Sequence, residues 1–425
     1  MFSVVGSVLS VEEGGGLALT PGSVIVVDDS GHIVDVFIEK DLPARFKDLK
    51  QFDFGESWIL PPFVDAHVHF PQIDIVGHHS GSLLSWLENL TFPTEMRYND
   101  PSVSESVAKA FCRELICNGV AAAAVFSSNS KSATDAIFSA FQVSGLRGII
   151  GRPSMDTMGP PELLIGPEKD LELTRAAIAD WHNKENRLFV ALTPRFAPCV
   201  SKEIMASYAG LLNEHPSLYV QTHIAETCDE VALVKRLFPF AKSYLDVYDG
   251  YRLLGNRTIL AHGIYLSEVE KKRISATGSM VCHCPSSNLF LGSGLFGYQD
   301  ALDYGIKVLL GSDVGAGTSF SPWKTMGEAY KVSKLKGEAI TPGKLLYDST
   351  IGAAKALGLA SGKGLVKGAP ADLQVISPWQ IPILARKKEA AVDDLIGAMM
   401  YLADDRILRE LFVGGVPLLV ANAFC

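Results

Sequence analysis

Long apolar runs are missing from this sequence. Nowhere in its 425 residues do about 18 apolar residues follow one another, so no membrane-spanning helix is expected. The opening Met1-Phe2-Ser3-Val4-Val5-Gly6-Ser7-Val8 lacks the positive start and apolar centre of a secretory leader, which makes the cytoplasm the expected compartment. Basic clusters are missing as well. With 38 Lys and Arg against 47 Asp and Glu, the formal net charge is −9, which argues against nucleic acid or an anionic membrane as partner and for a small neutral or cationic ligand. Cysteine is sparse: seven residues, at 112, 117, 199, 228, 282, 284 and 425, are odd in number and scattered, as reduced thiols are. Cys282-x-Cys284 has no second cysteine pair to complete a structural zinc site. There is no internal repeat and no low-complexity tract.

What is present is enough apolar material for a large core, 48% hydrophobic residues against 20% charged, in a length that allows one big domain and a smaller one. Residues 1–58 hold short alternating runs such as 23–27 and 32–38, broken by Gly14-Gly15-Gly16, Pro21-Gly22 and Ser30-Gly31, a pattern that predicts a small antiparallel sheet. From Pro61 the texture changes to buried runs alternating with helical periods. The runs at 63–69, 120–126, 148–152, 188–194, 218–224, 258–262, 279–283 and 307–313 count eight strands, and helices between them include one from Ser201 and one near Asp229, which could cap it. This is the count of a (β/α)₈ TIM-type barrel, over residues 59–364. Alternation returns near Pro370-Ala371-Asp372-Leu373 and after Asp405, so residues 1–58 and 365–425 are expected to form one composite β-sandwich domain.

The polar residues sit at telling places on those strands. In such a barrel the carboxyl ends of the strands meet over the mouth, and catalytic groups gather there. His67 and His69 end the first run on one face, Arg195 follows the fourth, and His223, His262, His283 and Asp313 end the fifth to eighth. His67, His69, His223 and Asp313 together offer three imidazoles and a carboxylate, a set that holds one divalent ion and leaves a position open for chemistry; zinc suits it best, with iron, cobalt and manganese as alternatives. A metal in that set would bring the pKa of water near 7. Asp313 is then the expected acceptor of the water proton, Glu226 of His223-Ile-Ala-Glu226 the proton shuttle to a ring nitrogen, and His262 the group that steadies developing negative charge.

The segments Pro61-Pro62-Phe63-Val64-Asp65-Ala66-His67-Val68-His69, His223-Ile-Ala-Glu226, Ala261-His262-Gly263 and Gly311-Ser312-Asp313-Val314 resemble the amidohydrolase superfamily. Ala191-Leu192-Thr193-Pro194-Arg195 has no lysine to bridge a second metal, which is similar to the one-metal branch. More narrowly, Phe70-Pro71-Gln72, Leu83-Leu84-Ser85-Trp86-Leu87, Thr91-Phe92-Pro93-Thr94-Glu95, Thr193 through Pro198, His283 through Leu289 and Gly317 through Ser321 resemble the guanine deaminases, so that the likeness covers about residues 59–360. The resemblance implies a metal-dependent hydrolase barrel, hydrolytic removal of ammonia from guanine to give xanthine, and a homodimer. Sibling activities on a pterin, 8-oxoguanine, an adenosine-like nucleoside or a triazine are the alternative. It also implies a purine pocket in which Gln72 supplies donor and acceptor, Arg195 a fork for the carbonyl edge and Phe196 a stacking surface. Trp86 and Leu87 would form a lid, His223 and His262 would face the ligand, and His283 and Asn288 would either support the site or touch the substrate.

Overall fold

The computed structural model describes residues 1–79 and 81–421. Its strands are, in chain order, β1 (Phe2–Val11), β2 (Leu17–Val27), β3 (Ile33–Ile38), β4 (Lys50–Leu60), β5 (Phe63–His69), β6 (Val120–Phe126), β7 (Arg147–Gly151), β8 (Pro153–Ser154), β9 (Leu188–Pro194), β10 (Tyr219–Ile224), β11 (Thr258–His262), β12 (Met280–His283), β13 (Lys307–Leu310), β14 (Leu373–Ile376), β15 (Leu408–Val413) and β16 (Val416–Pro417). Eight of them run parallel in the order β5-β6-β7-β9-β10-β11-β12-β13, with the two-residue β8 paired to β9 at the side. The ring is closed by two backbone hydrogen bonds, Asp313 N to His67 O at 2.8 Å and His69 N to Val314 O at 2.9 Å. The expected (β/α)₈ barrel is what the chain forms.

Period-two burial makes the barrel double-sided. In β6, Val-Ala-Ala-Ala-Ala-Val-Phe, Ala122 and Ala124 point into the interior with Ala66, Ile149, Ala191 and Ile259. Ala121, Ala123 and Val125 point outward to the helical layer. The helices start where sequence chemistry allows: Asp100 accepts from Ser102 N ahead of Pro101–Cys117, and Ser201 accepts from Ile204 N ahead of Lys202–Glu214. Asp229 does not cap the helix Cys228–Leu237. Thr227 does, because Thr227 and Glu230 stand three apart and close a reciprocal capping box, leaving Asp229 in the first turn. The eighth barrel strand is regular only to Leu310, short of the expected 313, although Gly311 N still bonds His283 O at 3.1 Å; a Cβ on Gly311 would lie 2.8 Å from both Cys282 Sγ and His67 Cβ.

Both ends of the chain join in one seven-stranded sheet of order β16-β15-β14-β4-β1-β2-β3. It is mixed rather than antiparallel, because β4 returns alongside β1 in the parallel sense. The sheet curls on itself. Phe2 on β1 and Phe412 on β15, separated in the sheet by β14 and β4, bring their ring centroids to 6.1 Å, and Ile33 N bonds Ala369 O at 2.8 Å across the opening. Val4, Ile25, Ile59, Leu373 and Phe412 fill the core that this one curled sheet encloses, and both termini contribute to it as expected. β4 gives way to β5 at Pro61-Pro62, which have no N–H to continue a ladder. No helix among the described residues is long and apolar enough to cross a membrane. Of the cysteines, Cys425 lies outside the described residues, and the six others are free thiols.

One buried ion pair ties the sheet to the barrel. Arg147 on β7 grips Asp372 through Nε at 2.6 Å and Nη2 at 3.0 Å, and Asp372 Oδ1 also accepts from Gly414 N at 2.6 Å. Removing one member of such a pair strands the other charge without water. Asp372→Ala is therefore expected to lower unfolding stability by about 3–5 kcal/mol in urea titration. Arg175→Ala, which breaks the solvent-exposed pair with Glu214, is expected to leave the same transition nearly in place.

Candidate active site

The barrel mouth collects the strand-end side chains into one cage. His67 and His69 lie two apart on β5 and so share a face, and His223 reaches across from β10. His69 Nε2 stands 3.2 Å from both His67 Nε2 and His223 Nε2, and Asp313 Oδ1 stands 3.2 Å from His67 Nε2 and 3.3 Å from His69 Nε2. Metal–nitrogen and metal–oxygen bonds of about 2.0–2.2 Å in a tetrahedron space their donor atoms about 3.3–3.6 Å apart. Those four separations, 3.2–3.3 Å, lie at the short end of that spacing, so the donor set fits a single divalent ion. His262 joins the same group, its ring with those of His67 and His223 and the Asp313 carboxylate lying within 4.8 Å of one another.

Electrostatics agree with a cation site. Burial pulls His67 down to about 4 and His223 well below its usual value, so both rings are neutral with lone pairs free. His223 Nδ1 donates to Arg195 O at 2.6 Å, which fixes the tautomer and aims Nε2 into the cage. Burial alone would raise Asp313, but the neighbouring histidines, His67 above all, hold it well below the carboxylate range. Phe126, at the end of β6, closes the floor with its ring centroid 4.8 Å from those of His69 and His223 and 4.9 Å from that of His67. Asp65 fastens the loop that carries Asp313, accepting from Ser312 N at 2.9 Å and Ser312 Oγ at 2.5 Å.

Glu226 lies just beyond the cage. Its Oε2 is 3.5 Å from His262 Nε2, and its Oε1 accepts from Ser293 Oγ at 2.8 Å. Burial pushes the carboxyl up to about 7, where it can both give and take a proton near neutrality. Burial works against a charge on His262, yet Glu226 and Asp313 outweigh it and raise its basicity. Asn288 Oδ1 holds His262 Nδ1 at 2.9 Å. Three of the left-handed non-glycine residues lie at this mouth, Ala225 (φ 48°), His262 (φ 71°) and Asp313 (φ 50°), a conformation that the packing around them must enforce.

A cavity opens on the cage, with Trp86, Leu87, Leu83, Phe196 and Leu291 as its apolar walls and Gln72 and Arg195 on its polar side. Each residue expected in the pocket therefore borders it. Arg195 differs from expectation in one respect. Its Nη1 and Nη2 are already bonded to Glu95, at 2.6 and 2.9 Å, so the end of the fork is taken and only its other N–H groups remain for a ligand. Gln72 Nε2 bonds the same Glu95 at 3.0 Å, and Gln72 Oε1 accepts from Gly315 N at 3.3 Å. His283 stays outside the cavity, its ring nitrogens unpartnered and its ring stacked on Phe296 at 4.7 Å. Asn288 touches the site through His262 and, its backbone O accepting from Ser293 N at 2.8 Å, through the serine that bonds Glu226. Sequence reasoning did not single out Glu95, Phe126 or Ser293. Phe126 at a strand end and Glu95 in Thr91-Phe92-Pro93-Thr94-Glu95 were within its reach, whereas Ser293 carries no signal. A larger cleft lies between the helices Pro101–Cys117 and Lys131–Ser144, on the outer wall and far from the strand ends, and it gathers no histidine.

Comparison with known proteins agrees with this geometry. The amidohydrolase family pattern matches residues 58–418. The guanine deaminase of Escherichia coli K12 is 40% identical over 366 residues, 85% of this chain and 83% of that protein. Among solved structures, E. coli guanine deaminase superposes with a TM-score of 0.93 at 35% identity, covering 98% of both chains. The Clostridium acetobutylicum enzyme with guanine bound (C. acetobutylicum guanine deaminase) superposes with a TM-score of 0.91 at 29% identity, covering 98% of this chain and 99% of that one.

Protein purified with divalent ions is expected to retain about one per chain. His223→Ala should reduce the content measured by plasma emission at least tenfold, since losing an outer partner alone costs about 10–100-fold. His283→Ala should leave it unchanged.

Proposed function

The chain belongs to the amidohydrolase family, and from that premise we propose that it is a hydrolase that converts guanine to xanthine and ammonia. The observation that carries this reading is the pairing of Gln72 and Arg195 on one wall of a cavity whose other side is the His67, His69, His223 and Asp313 cage. A purine with a carbonyl edge and ring nitrogens of both kinds needs an amide that donates and accepts beside a strong donor, and those two side chains supply them. We assign the four cage residues as ligands of one divalent ion, with zinc preferred for a nitrogen and oxygen set. When bound there, such an ion makes hydroxide available near neutral pH.

The chain's own residues would do the rest. Asp313 Oδ2, which faces His262 at 3.8 Å, takes up the proton released when water attacks the ring carbon that bears the amino group, and returns it to that amino group as the carbon–nitrogen bond breaks and ammonia leaves. Glu226 hands a proton to the ring nitrogen beside that carbon, a task suited to a buried carboxyl held at about 7. His262, pinned by Asn288, presents Nε2 to the negative charge that develops. Phe196 offers a face for the ring, and Trp86 and Leu87 exclude water, Trp86 being fastened by its Nε1 to His78 O at 3.2 Å. The acidic balance of the chain supports work on a small molecule, we assign the cytoplasm as its compartment, and a homodimer is the assembly we assign by symmetry preference. In the same way we divide the chain into a barrel of residues 59–364 and a composite domain of 1–58 with 365–425.

Ammonia release from guanine is the deciding measurement, run beside a pterin, 8-oxoguanine, adenosine and a triazine. Guanine is expected to be the preferred substrate, and preference for another ring would overturn the substrate assignment. Gln72→Ala and Arg195→Ala should each lose guanine turnover selectively while the metal stays bound. Glu226→Gln should cut kcat by about 10²–10⁴-fold with metal content and guanine binding kept.

A further inference from the structure

Glu95 is a buried carboxylate with no place in the steps above. It lies on the helix Phe92–Met96, 100 residues from Arg195 in sequence, and is 2% exposed. One oxygen, Oε1, takes Arg195 Nη2 at 2.9 Å and Gln72 Nε2 at 3.0 Å together; the other, Oε2, takes Arg195 Nη1 at 2.6 Å. The Phe92 ring lies beneath the same guanidinium, 5.2 Å from its carbon. A single carboxylate thus orients both polar residues of the cavity wall. Stability does not account for such a pair, because burying two charges costs so much desolvation that apolar residues of equal volume often serve as well.

Charge accounts for it better. A buried guanidinium without a counter-ion would draw any ligand toward its anionic form, by an amount comparable with the shifts of 1–3 pKa units that one neighbouring charge produces. With Glu95 against it, the wall keeps directional N–H donors and loses most of its net field. Guanine is neutral near physiological pH, whereas xanthine gives up a ring proton far more readily. We infer that Glu95 is a positioning residue that holds Arg195 and Gln72 in register and makes the cavity wall discriminate against anionic purines, the ionised product among them. This rests on the deaminase reading. The wall then binds the neutral substrate and disfavours the product once it has lost a proton.

The experiment compares holoenzyme with Glu95→Gln, which keeps the shape and removes the charge. KM and kcat for guanine are measured, together with inhibition by xanthine below and above the pH at which xanthine ionises; hypoxanthine, neutral across that span, corrects for titration of the protein. The variant is expected to raise KM for guanine about tenfold or more with a smaller change in kcat. Corrected xanthine inhibition should weaken on ionisation in the native enzyme, and the ratio between native and variant should change at least about tenfold across the span. Equal pH responses in the two proteins overturn the charge role and leave Glu95 a packing residue. Should the variant not fold, the native enzyme decides alone: xanthine must lose affinity relative to hypoxanthine as it ionises, and constant or rising relative affinity overturns the inference. Guanine turnover by the native enzyme in the same assay keeps the two readings apart, since its absence removes the deaminase assignment and this inference with it, whereas turnover with the wrong inhibition profile removes this inference only.

Discussion

Closure of the barrel between its first and last strands is the constraint on which the site depends. Two backbone hydrogen bonds, from Asp313 N to His67 O and from His69 N to Val314 O, set the loop after β13 against the end of β5. They place a carboxylate from one end of the barrel sequence beside two imidazoles from the other, 3.2 and 3.3 Å away. Gly311 permits the approach, since any Cβ there would strike His67. The ligand geometry is therefore a property of the ring as a whole, and an ion in it would bond both sides of the seam.

The low dielectric of the mouth then separates the tasks of groups that would behave alike in water. Two carboxyl groups share the neighbourhood of His262: Asp313, faced by histidines, is held ionised, whereas Glu226, buried with fewer compensating partners, is raised to about 7. The same burial keeps His67 and His223 neutral, as ligands must be. At Arg195 burial again works against the charged form, and the charge is kept because Glu95 meets it.

Much of this was legible in the sequence because strands report both their faces and their ends. Buried runs gave eight strands, six of them with a polar residue at or just past the carboxyl end, and the period of two put His67 and His69 on one side. The helix read from Ser201 also starts there, with Ser201 as its cap. What could not be read was contact between distant segments. Glu95 carries no local mark of its bond to a residue 100 positions away, nor does Asp372 of its bond to one 225 positions away. The parallel pairing of β1 with β4 was hidden for the same reason, since alternation shows which face is buried and not which way a neighbour runs. At the start of the helix Cys228–Leu237 the cap is Thr227 and not Asp229 two residues on, and the reciprocal bond with Glu230 decided it.

The order of pairing in the terminal sheet bears on how the protein is made. β1 to β4 leave the ribosome before the barrel does, but the partner of β4 on its outer edge, β14, is made only after it. Trp58, Ile59 and Leu60 must therefore wait with an open strand edge while some 300 residues are translated and the barrel closes between them. Open apolar edges of that kind recruit other chains. During translation the vulnerable part of this enzyme is thus the sheet begun before the barrel, which is completed only when β14 and β15 dock.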